Sequence, residues 1–247
     1  MVDKVFKEFY KDVDAFFTTR WGGVSKEPYH ELNLALHVED NPIDVLKNRE
    51  ILAKKQDFYI DNLIYMEQTH SNNIQVIEDS LTNKIENCDG IITNKPNIPL
   101  MVMVADCIPI LLYDKVKKVI GAVHAGRNGT FLKIAPKAIS IMIEKFNSNP
   151  KDIVIALGAS IHDCCYEVGE DLAQIAIKSF GEKYVEKRND SFYLDLQTLN
   201  FDQLLSVGVL KEHIMISQTC TCCDKNYFSY RRDGVTGRFA GVIKLNA

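Results

Sequence analysis

The feature that most constrains the fold is a series of short apolar segments, rich in Val and Ile, that recurs along the whole chain. Runs of this length bounded by polar or turn-forming residues are typical of β-strands. We predict strands at residues 14–18, 63–66, 74–77, 90–93, 100–104, 108–113, 119–124, 153–157, 192–194, 213–217 and 239–244. Few helical segments lie between them, and their order is irregular. This pattern favours a mixed α+β protein over a regular array of βαβ units.

Four helices are predicted from the residues that begin or end them. Asn41 and Pro42 read as an N-cap and a first-turn proline, and predict a helix that reaches about residue 55. Thr130 is the predicted N-cap of a second helix, which continues to about residue 146 with its apolar residues on one face. The remaining two, at 169–180 and 196–207, are each followed by a glycine suited to a left-handed C′ position.

The size, charge and composition of the chain exclude several classes of protein. It has 247 residues, of which 46% are hydrophobic and 25% are charged, and no linker or low-complexity segment divides it. We therefore expect one domain over residues 1–247. The formal net charge is −4, and no run of adjacent basic residues is longer than the pair Arg231-Arg232. Because this charge distribution argues against nucleic acid, we expect a small-molecule substrate.

The N-terminus, the longest apolar stretch and the cysteines indicate a cytoplasmic protein. The N-terminal segment mixes apolar with charged residues and has no feature of a signal peptide. Residues 98–112 are interrupted by Asp106 and two prolines, so we expect no membrane span. The seven cysteines are an odd number in a chain that needs no disulfide framework. We therefore expect reduced thiols.

Three places set reactive side chains beside strand ends and tight turns: QTHS at 68–71, ADC at 105–107 and HAGRNGT at 124–130. Imidazole and thiolate both bind zinc, so His70, Cys107 and His124 could hold one ion with the fourth tetrahedral position open. Zinc in such a site activates water or polarises a substrate oxygen. The spacings match no compact metal motif, and two core-edge histidines with a buried cysteine remain the alternative.

Other polar residues near these segments have both a functional and a structural interpretation. Asp106 either orients a histidine ligand, carries a proton, or caps a turn at a strand break. The turn after His124 is either an anion site that includes Arg127, or only a turn. Arg231 and Arg232, with a third arginine six residues later, either clamp a phosphate or carboxylate, or anchor the last strand.

The remaining candidates are one histidine and the other cysteines. His37 could line a pocket near Asn33. Cys220 and Cys223 have a Cys-x-x-Cys spacing, and Cys164-Cys165 offers two more sulfurs. Adjacent residues of an extended segment point to opposite faces, so that pair would chelate one ion poorly. We expect buried thiols there, not a second zinc site.

At these residues the chain resembles the laccase-domain, or YfiH-like, family, which is also known as polyphenol oxidase. Eight segments carry the resemblance, in the expected order and over about residues 14–244. They are TTRWGGVS at 18–25, LNLALHVEDNP at 32–42, QTHS at 68–71, DGIIT at 89–93, ADCIPIL at 105–111, AVHAG at 122–126, CCYEVG at 164–169 and FSYRRDGVTGR at 228–238.

The resemblance implies zinc at His70, Cys107 and His124, and purine nucleoside chemistry. That chemistry is phosphorolysis of adenosine, inosine and related nucleosides to free base and ribose 1-phosphate, with adenosine deamination alongside. It also implies a single α+β domain with layered mixed β-sheets and flanking helices. The ligands of the protein would be a nucleoside and phosphate, and we favour a monomer. The expected catalytic residues are Cys107, His70, His124 and Asp106, and the expected substrate-binding residues are Asn33, Arg20, Arg127, Arg231 and Arg232.

The chain departs from the family pattern in one place. The family usually reads HAGWRG where this chain has HAGRNG at 124–129. An arginine is still present, but it lies one residue earlier. If the family's arginine handles phosphate, phosphorolysis here is expected to be weaker or to use Arg231 or Arg232.

Two rival functions use the same three residues. Two histidines and a cysteine resemble the ligands of a blue-copper site, but a multicopper oxidase needs further histidine-rich sites and the chain has only six histidines. We therefore do not expect copper. Cys107 could instead be a thiolate nucleophile activated by His70 or His124, as in the peptidoglycan-editing amidase also assigned to this family. The sequence leaves the zinc and thiol mechanisms open.

Overall fold

The computed structural model describes residues 2–78 and 82–246. Within these residues the helices are α1 Pro42–Lys55, α2 Arg127–Phe131, α3 Ile134–Phe146, α4 Glu170–Phe180, α5 Leu196–Ser206 and α6 Tyr230–Asp233. The strands are β1 Val2–Val5, β2 Val13–Thr18, β3 Ile64–Met66, β4 Ile74–Val76, β5 Lys84–Ile85, β6 Gly90–Thr93, β7 Leu100–Val104, β8 Ile108–Asp114, β9 Val119–Ala125, β10 Ile153–Leu157, β11 Glu167–Val168, β12 Val185–Arg188, β13 Ser191–Leu194, β14 Ile214–Ile216 and β15 Phe239–Leu245.

The strands form two six-stranded mixed sheets and one small antiparallel sheet. The first large sheet has the order β1-β2-β15-β7-β3-β5, and the second has the order β14-β10-β8-β9-β6-β4. The small sheet has the order β11-β13-β12. Parallel pairs occur towards the sheet edges, where β3 pairs with β7 and β5, β4 with β6, and β10 with β14.

The alternation of side chains along the strands explains why the protein is layered. Val102 and Val104 of β7 lie in the core shared with the second sheet, whereas Met101 and Met103 face the layer of α1. In β8, Leu111 belongs to the shared core, and its neighbours face α3 and α5. The central strands of both sheets are therefore covered on both faces, which explains why they are apolar along most of their length. The expected single α+β domain with layered mixed sheets and flanking helices is confirmed.

Each predicted strand region contains a strand, but four short strands were not predicted. These are β1, β5, β11 and β12. Two of them have only two residues, and β12 has the sequence Val-Glu-Lys-Arg with two exposed charged residues at its centre. Such strands are held by pairing with a neighbour, which local composition does not reveal.

The helix predicted to begin at Thr130 begins elsewhere, and that prediction is wrong. Arg127–Phe131 form the separate short helix α2, and the chain turns at Lys133, whose φ is 56°. Thr130 lies inside α2, where its hydroxyl accepts a hydrogen bond from Asn200 of α5. The hydroxyl therefore ties two helices together and does not cap one. Similarly, Gly181 (φ 107°, ψ 161°) lies outside the left-handed helical conformation predicted for it.

None of the helices in the described ranges is both long enough and apolar enough to cross a bilayer.

Candidate metal centre and active site

The three predicted metal ligands meet where the chain crosses from one large sheet to the other. Cys107 lies in the turn between β7 of the first sheet and β8 of the second. His124 is near the end of β9, where it pairs opposite Pro109 of β8. His70 follows β3, which pairs with β7. The topology therefore brings together residues that are 37 and 17 positions apart.

The positions of His70, Cys107 and His124, here called the metal centre, fit a tetrahedral ion. Their ligand atoms all lie within 4.8 Å of one another, and His70 Nε2 is 3.9 Å from Cys107 Sγ. The two imidazole rings are 4.8 Å apart and nearly perpendicular. Zinc bonds of about 2.0–2.3 Å place tetrahedral N and S ligands roughly 3.3–3.6 Å apart. The donor set and its spacing therefore suit zinc with small movements.

Gly126 leaves the space that the metal centre occupies. A Cβ atom at this position would lie 3.0 Å from both Cys107 Sγ and His70 Cδ2. That separation is shorter than almost all Cβ contacts, so a larger residue would displace a ligand. The close approach of these three side chains therefore explains the glycine at position 126.

Asp89, which was not predicted as a site residue, orients the metal centre. It is fully buried, and its Oδ1 is 2.8 Å from His124 Nδ1, which turns the other ring nitrogen towards Cys107. Its carboxylate also accepts hydrogen bonds from the backbone of Thr69, His70 and Ser71. Histidine ligands of metals commonly have such a carboxylate partner. Its sequence signals are its place at the start of an apolar strand and in the segment DGIIT that carries the family resemblance.

The groups of the metal centre perturb each other's pKa values. Burial alone would raise the pKa of the Cys107 thiol, but His124 and then His70 lower it to about 6. Burial alone would lower the pKa of His124, but Cys107 and Asp89 raise it to about 9. Burial opposes ionisation of Asp89 as well, yet hydrogen bonds from His124 and Ser71 hold its pKa well below the ordinary value. The surroundings therefore favour a thiolate at Cys107, the form that binds metals.

Asp106 has a different position from the one expected of a residue that orients a histidine. Its Oδ1 accepts a hydrogen bond from the Thr221 hydroxyl at 2.6 Å, and its Oδ2 accepts one from the Arg231 backbone N–H at 2.7 Å. The backbone at Asp106 has a φ of 91°, which is rare for a residue with a side chain. Its carboxylate thus braces the turn, and the orienting role belongs to Asp89.

The metal centre opens into a cleft of about 400 Å³, a volume that suits a small molecule. Its aromatic and positively charged groups include several that the sequence did not single out as substrate-binding. The residues lining it are His37, Gln68, His70, Met103, Val104, Ala105, Asp106, Cys107, His124, Ile161, Tyr166, Tyr230, Arg231 and Arg238.

Two arginines face the cleft. Arg238 is partly buried and donates from Nη1 to the carbonyls of Thr236 and Gly237, and among the described residues no acceptor is found for its Nη2. Arg231 donates to the carbonyls of Cys165 and Glu167. Desolvation and then the charges of Arg238 and Arg49 lower the pKa of His37, which keeps this imidazole neutral. This end of the cleft is therefore suited to an anion.

Two of the predicted substrate-binding residues lie in the structure behind the cleft. Arg20 is buried, donates to the His30 carbonyl at 2.8 Å, and packs over the Phe228 ring. Asn33 is fully buried, and its side-chain oxygen accepts from the backbone N–H of Arg238 at 2.9 Å. Neither lines the cleft, so Asn33 acts on the site by holding the backbone of Arg238.

The other two predicted arginines do not line the cleft. Arg127 is exposed and donates to the side-chain oxygen of Asn128, the residue beside it. The helix that begins at Arg127 has only five residues, so its dipole gives little support for an anion site. Arg232 donates to the carbonyls of Thr221 and Tyr227 and to the Asp233 carboxylate. Its guanidinium is thus occupied in holding a turn.

The fold and the metal centre agree with a comparison of the sequence with protein families. Residues 14–246 match the family model described as multi-copper polyphenol oxidoreductase laccase. This match covers nearly the whole chain, and the chain therefore belongs to this laccase-like, YfiH-type family.

Curated relatives and solved structures are also similar to this chain over nearly its whole length. The chain is 36% identical to the purine nucleoside phosphorylase YlmD of Bacillus subtilis, over 95% of this chain and 89% of that protein. It is 39% identical to a purine nucleoside phosphorylase of Corynebacterium glutamicum, over 95% of each chain. The crystal structure of the Bacillus licheniformis hypothetical protein YfiH superposes with a TM-score of 0.92 at 33% identity, covering 98% of this chain and 96% of that one.

Proposed function

We propose that this protein is a zinc-dependent purine nucleoside phosphorylase. The observation that carries the proposal is the arrangement of a metal-ligand trio, braced by Asp89, at one side of a cleft that also contains Arg238 and Arg231. Relatives at 32–39% identity that carry the name purine nucleoside phosphorylase support the substrate class.

In this proposal the chain's own residues hold the two substrates in line. Arg238, whose Nη2 has no acceptor among the described residues, binds phosphate, and Arg231 adds positive charge at the same side of the cleft. Phosphate attacks the anomeric carbon of the ribose, and the bond from that carbon to the purine breaks. Tyr166 and Tyr230 line the cleft and offer rings against which a purine can stack. Holding both reactants in place lowers the entropic cost of their reaction.

His70, Cys107 and His124 would hold the zinc ion, and Asp89 would keep the His124 ring in the orientation that binds it. A zinc ion there acts as a Lewis acid or lowers the pKa of a bound water. The same site would support adenosine deamination, which replaces the amino group of adenine with an oxygen from water.

The direct test is incubation of purified protein with inosine and phosphate, with release of hypoxanthine measured by chromatography. We expect phosphate-dependent product from protein with zinc at the metal centre, and none from Cys107→Ala. His213→Ala changes a histidine outside the cleft and should keep full activity. Absence of product from fully zinc-loaded wild type would refute the phosphorylase. Adenosine without phosphate tests deamination separately, because inosine forms only if water is the nucleophile.

One observation favours a second candidate, an amide hydrolase with a cysteine nucleophile that acts on cell-wall precursors. Asp89, His124 and Cys107 form a chain of acid, base and thiol, with the Cys107 pKa lowered to about 6. This is the arrangement of an activated nucleophile. Complete removal of zinc separates the two candidates: a phosphorylase that depends on the metal loses activity, whereas hydrolysis by a free thiolate survives or increases.

A further inference from the structure

We propose that Cys164, Cys165, Cys220 and Cys223, here called the cysteine cluster, form a second and structural zinc site. Their four sulfur atoms all lie within 4.8 Å of one another. The cluster shares no residue with the metal centre, so the proposal does not depend on the reaction catalysed there.

Three sulfur–sulfur distances within the cluster lie near those of a tetrahedral thiolate site, and two of them agree with it closely. Cys164 Sγ is 3.7 Å from Cys165 Sγ and 3.8 Å from Cys223 Sγ, and Cys165 Sγ is 3.3 Å from Cys223 Sγ. A zinc–sulfur bond of about 2.3 Å gives a tetrahedral edge of roughly 3.8 Å. A disulfide has a sulfur–sulfur bond of about 2.05 Å, well below all three distances.

The backbone explains why adjacent cysteines can bind one ion. The expectation that Cys164 and Cys165 diverge holds for extended chain, but here both lie in a turn and their sulfurs face the same side. The expectation of buried thiols holds for Cys220 but is wrong for Cys164 and Cys223, which are exposed.

Backbone contacts already align the two segments that carry the cluster. Ser160 and Cys220 form an isolated parallel bridge, and the backbone N–H of Thr221 donates to the Ser160 carbonyl at 2.9 Å. The sulfur of Cys220 accepts a hydrogen bond from the backbone N–H of His162 at 3.5 Å. A hydrogen bond from a backbone amide to sulfur stabilises a thiolate and orients it as a ligand.

The surroundings also compensate the charge of the site. Four thiolates and one zinc ion carry a net charge of −2, which a partly buried site must balance. Arg231 donates to the carbonyl of Cys165, and Arg232 donates to the carbonyls of Thr221 and Cys222. The two guanidinium groups therefore lie against the backbone of the cluster from both segments.

The cluster adjoins the cleft, which gives the metal a structural purpose. Thr221, between two of the cysteines, donates its hydroxyl to Asp106. Arg231 lines the cleft and is held by the carbonyls of Cys165 and Glu167. Zinc would lock the two loops that hold these groups, and would act as a positioning element without contacting substrate. The soft sulfur ligands and tetrahedral spacing select zinc over calcium or magnesium.

The test uses the variant His70→Ala/Cys107→Ala, which lacks two ligands of the metal centre, so that metal binding reports on the cysteine cluster. The protein is kept under reductant and loaded with Co²⁺ as the probe. We expect one tightly bound Co²⁺ per chain, with the intense visible bands of tetrahedral thiolate ligation, and its displacement by one equivalent of Zn²⁺. Adding Cys164→Ser and Cys223→Ser to this variant should abolish the bands. Cys222→Ser is the matched control, because it removes a neighbouring thiol outside the cluster, and should retain them.

X-ray absorption at the zinc edge provides a measurement that does not depend on how the cysteine variants fold. In the zinc-loaded His70→Ala/Cys107→Ala variant we expect four sulfur neighbours at about 2.3 Å. Failure of this variant to bind metal under reductant would overturn the proposal. So would fewer than three sulfur neighbours at the zinc, or loss of the cobalt bands in Cys222→Ser alone.

Discussion

Asp89 is fully buried and receives hydrogen bonds from both histidine-bearing segments of the metal centre. We predict that Asp89→Asn weakens zinc binding by about 10- to 100-fold, since the amide can no longer hold the His124 ring as a charged acceptor. Competition with a chromophoric chelator would measure the affinity. Asp114→Asn changes an equally buried aspartate away from the cleft and should leave the affinity unchanged. Equal affinities for both variants would refute the orienting role.

A substitution at Gly126 tests whether the metal centre has room for a side chain at this position. In Gly126→Ala the new Cβ lies 3.0 Å from Cys107 Sγ and His70 Cδ2, so one ligand must move. We predict a loss of activity of about 10-fold or more, because misplacement by a fraction of an ångström affects both the metal and the substrate. A Cβ at Gly169 would meet nothing within 4 Å, so Gly169→Ala is the matched control. Steady-state kinetics with unchanged unfolding temperatures would separate this effect from destabilisation.

Variants of Arg238 and Arg127 test which arginine binds phosphate. The structure places Arg238 in the cleft, whereas the sequence suggested Arg127. We predict that Arg238→Gln raises the KM for phosphate by about 10-fold or more, because it removes a charge-assisted hydrogen bond to the anion. Zinc content should stay the same. Arg127→Gln should have little effect, since the Arg127 side chain is exposed and bonded to Asn128. The opposite ranking of the two KM values would restore Arg127 as the phosphate ligand.

At the scale of elements, a single hydroxyl connects the turn between β7 and β8 to the loop that precedes α6. Thr221 is fully buried and donates to Asp106 at 2.6 Å. Thr221→Val leaves that carboxylate oxygen without this donor, and we predict a loss of about 1–3 kcal/mol in the free energy of unfolding. Thr236 is equally buried, but its hydroxyl has no partner among the described residues. Thr236→Val should therefore be neutral or stabilising in the same urea titration.

At the scale of the whole molecule, stability depends on how closely the two large sheets approach. The ring of Phe17, in the first sheet, would lie 2.6 Å from a Cβ at Gly158, which follows β10 of the second. Gly158→Ala would push the sheets apart, and we predict a loss of about 1–3 kcal/mol in the free energy of unfolding. The loss should be the same by circular dichroism and by fluorescence if the layers unfold together. Gly169→Ala serves again as the control.

Much of the fold could be predicted because its signals are local. The predicted strands exist where short apolar runs occur, and α1 begins at Pro42 with Asn41 as its cap, as its sequence indicates. The prediction of Thr130 as an N-cap was wrong because its hydroxyl accepts a hydrogen bond from Asn200, seventy residues away. A capping rule considers only neighbouring residues and does not include that partner. The strands β5 and β11 were missed because two residues carry no periodic pattern.

The candidate site also has residues that the sequence predicts and residues that it does not. Residue chemistry proposed His70, Cys107 and His124 as one of two interpretations, and the family resemblance favoured it. The structure places their ligand atoms within 4.8 Å of one another. Residue chemistry did not single out Asp89, since a buried aspartate is recognisable only by its hydrogen-bond partners. It also could not rank the arginines, because the direction of a guanidinium depends on carbonyl groups contributed by distant loops.

The sequence by itself determined the mixed α+β class and the reactive side chains available, because strand periodicity and ligand chemistry are properties of single residues and their neighbours. Only the tertiary structure decided which of those side chains meet. It turned Arg238 towards the cleft and Arg232 away from it, and it brought Cys164 and Cys165 within reach of Cys220 and Cys223. The physical reason is that these contacts join residues far apart in the chain, and their geometry exists only once the two sheets have packed.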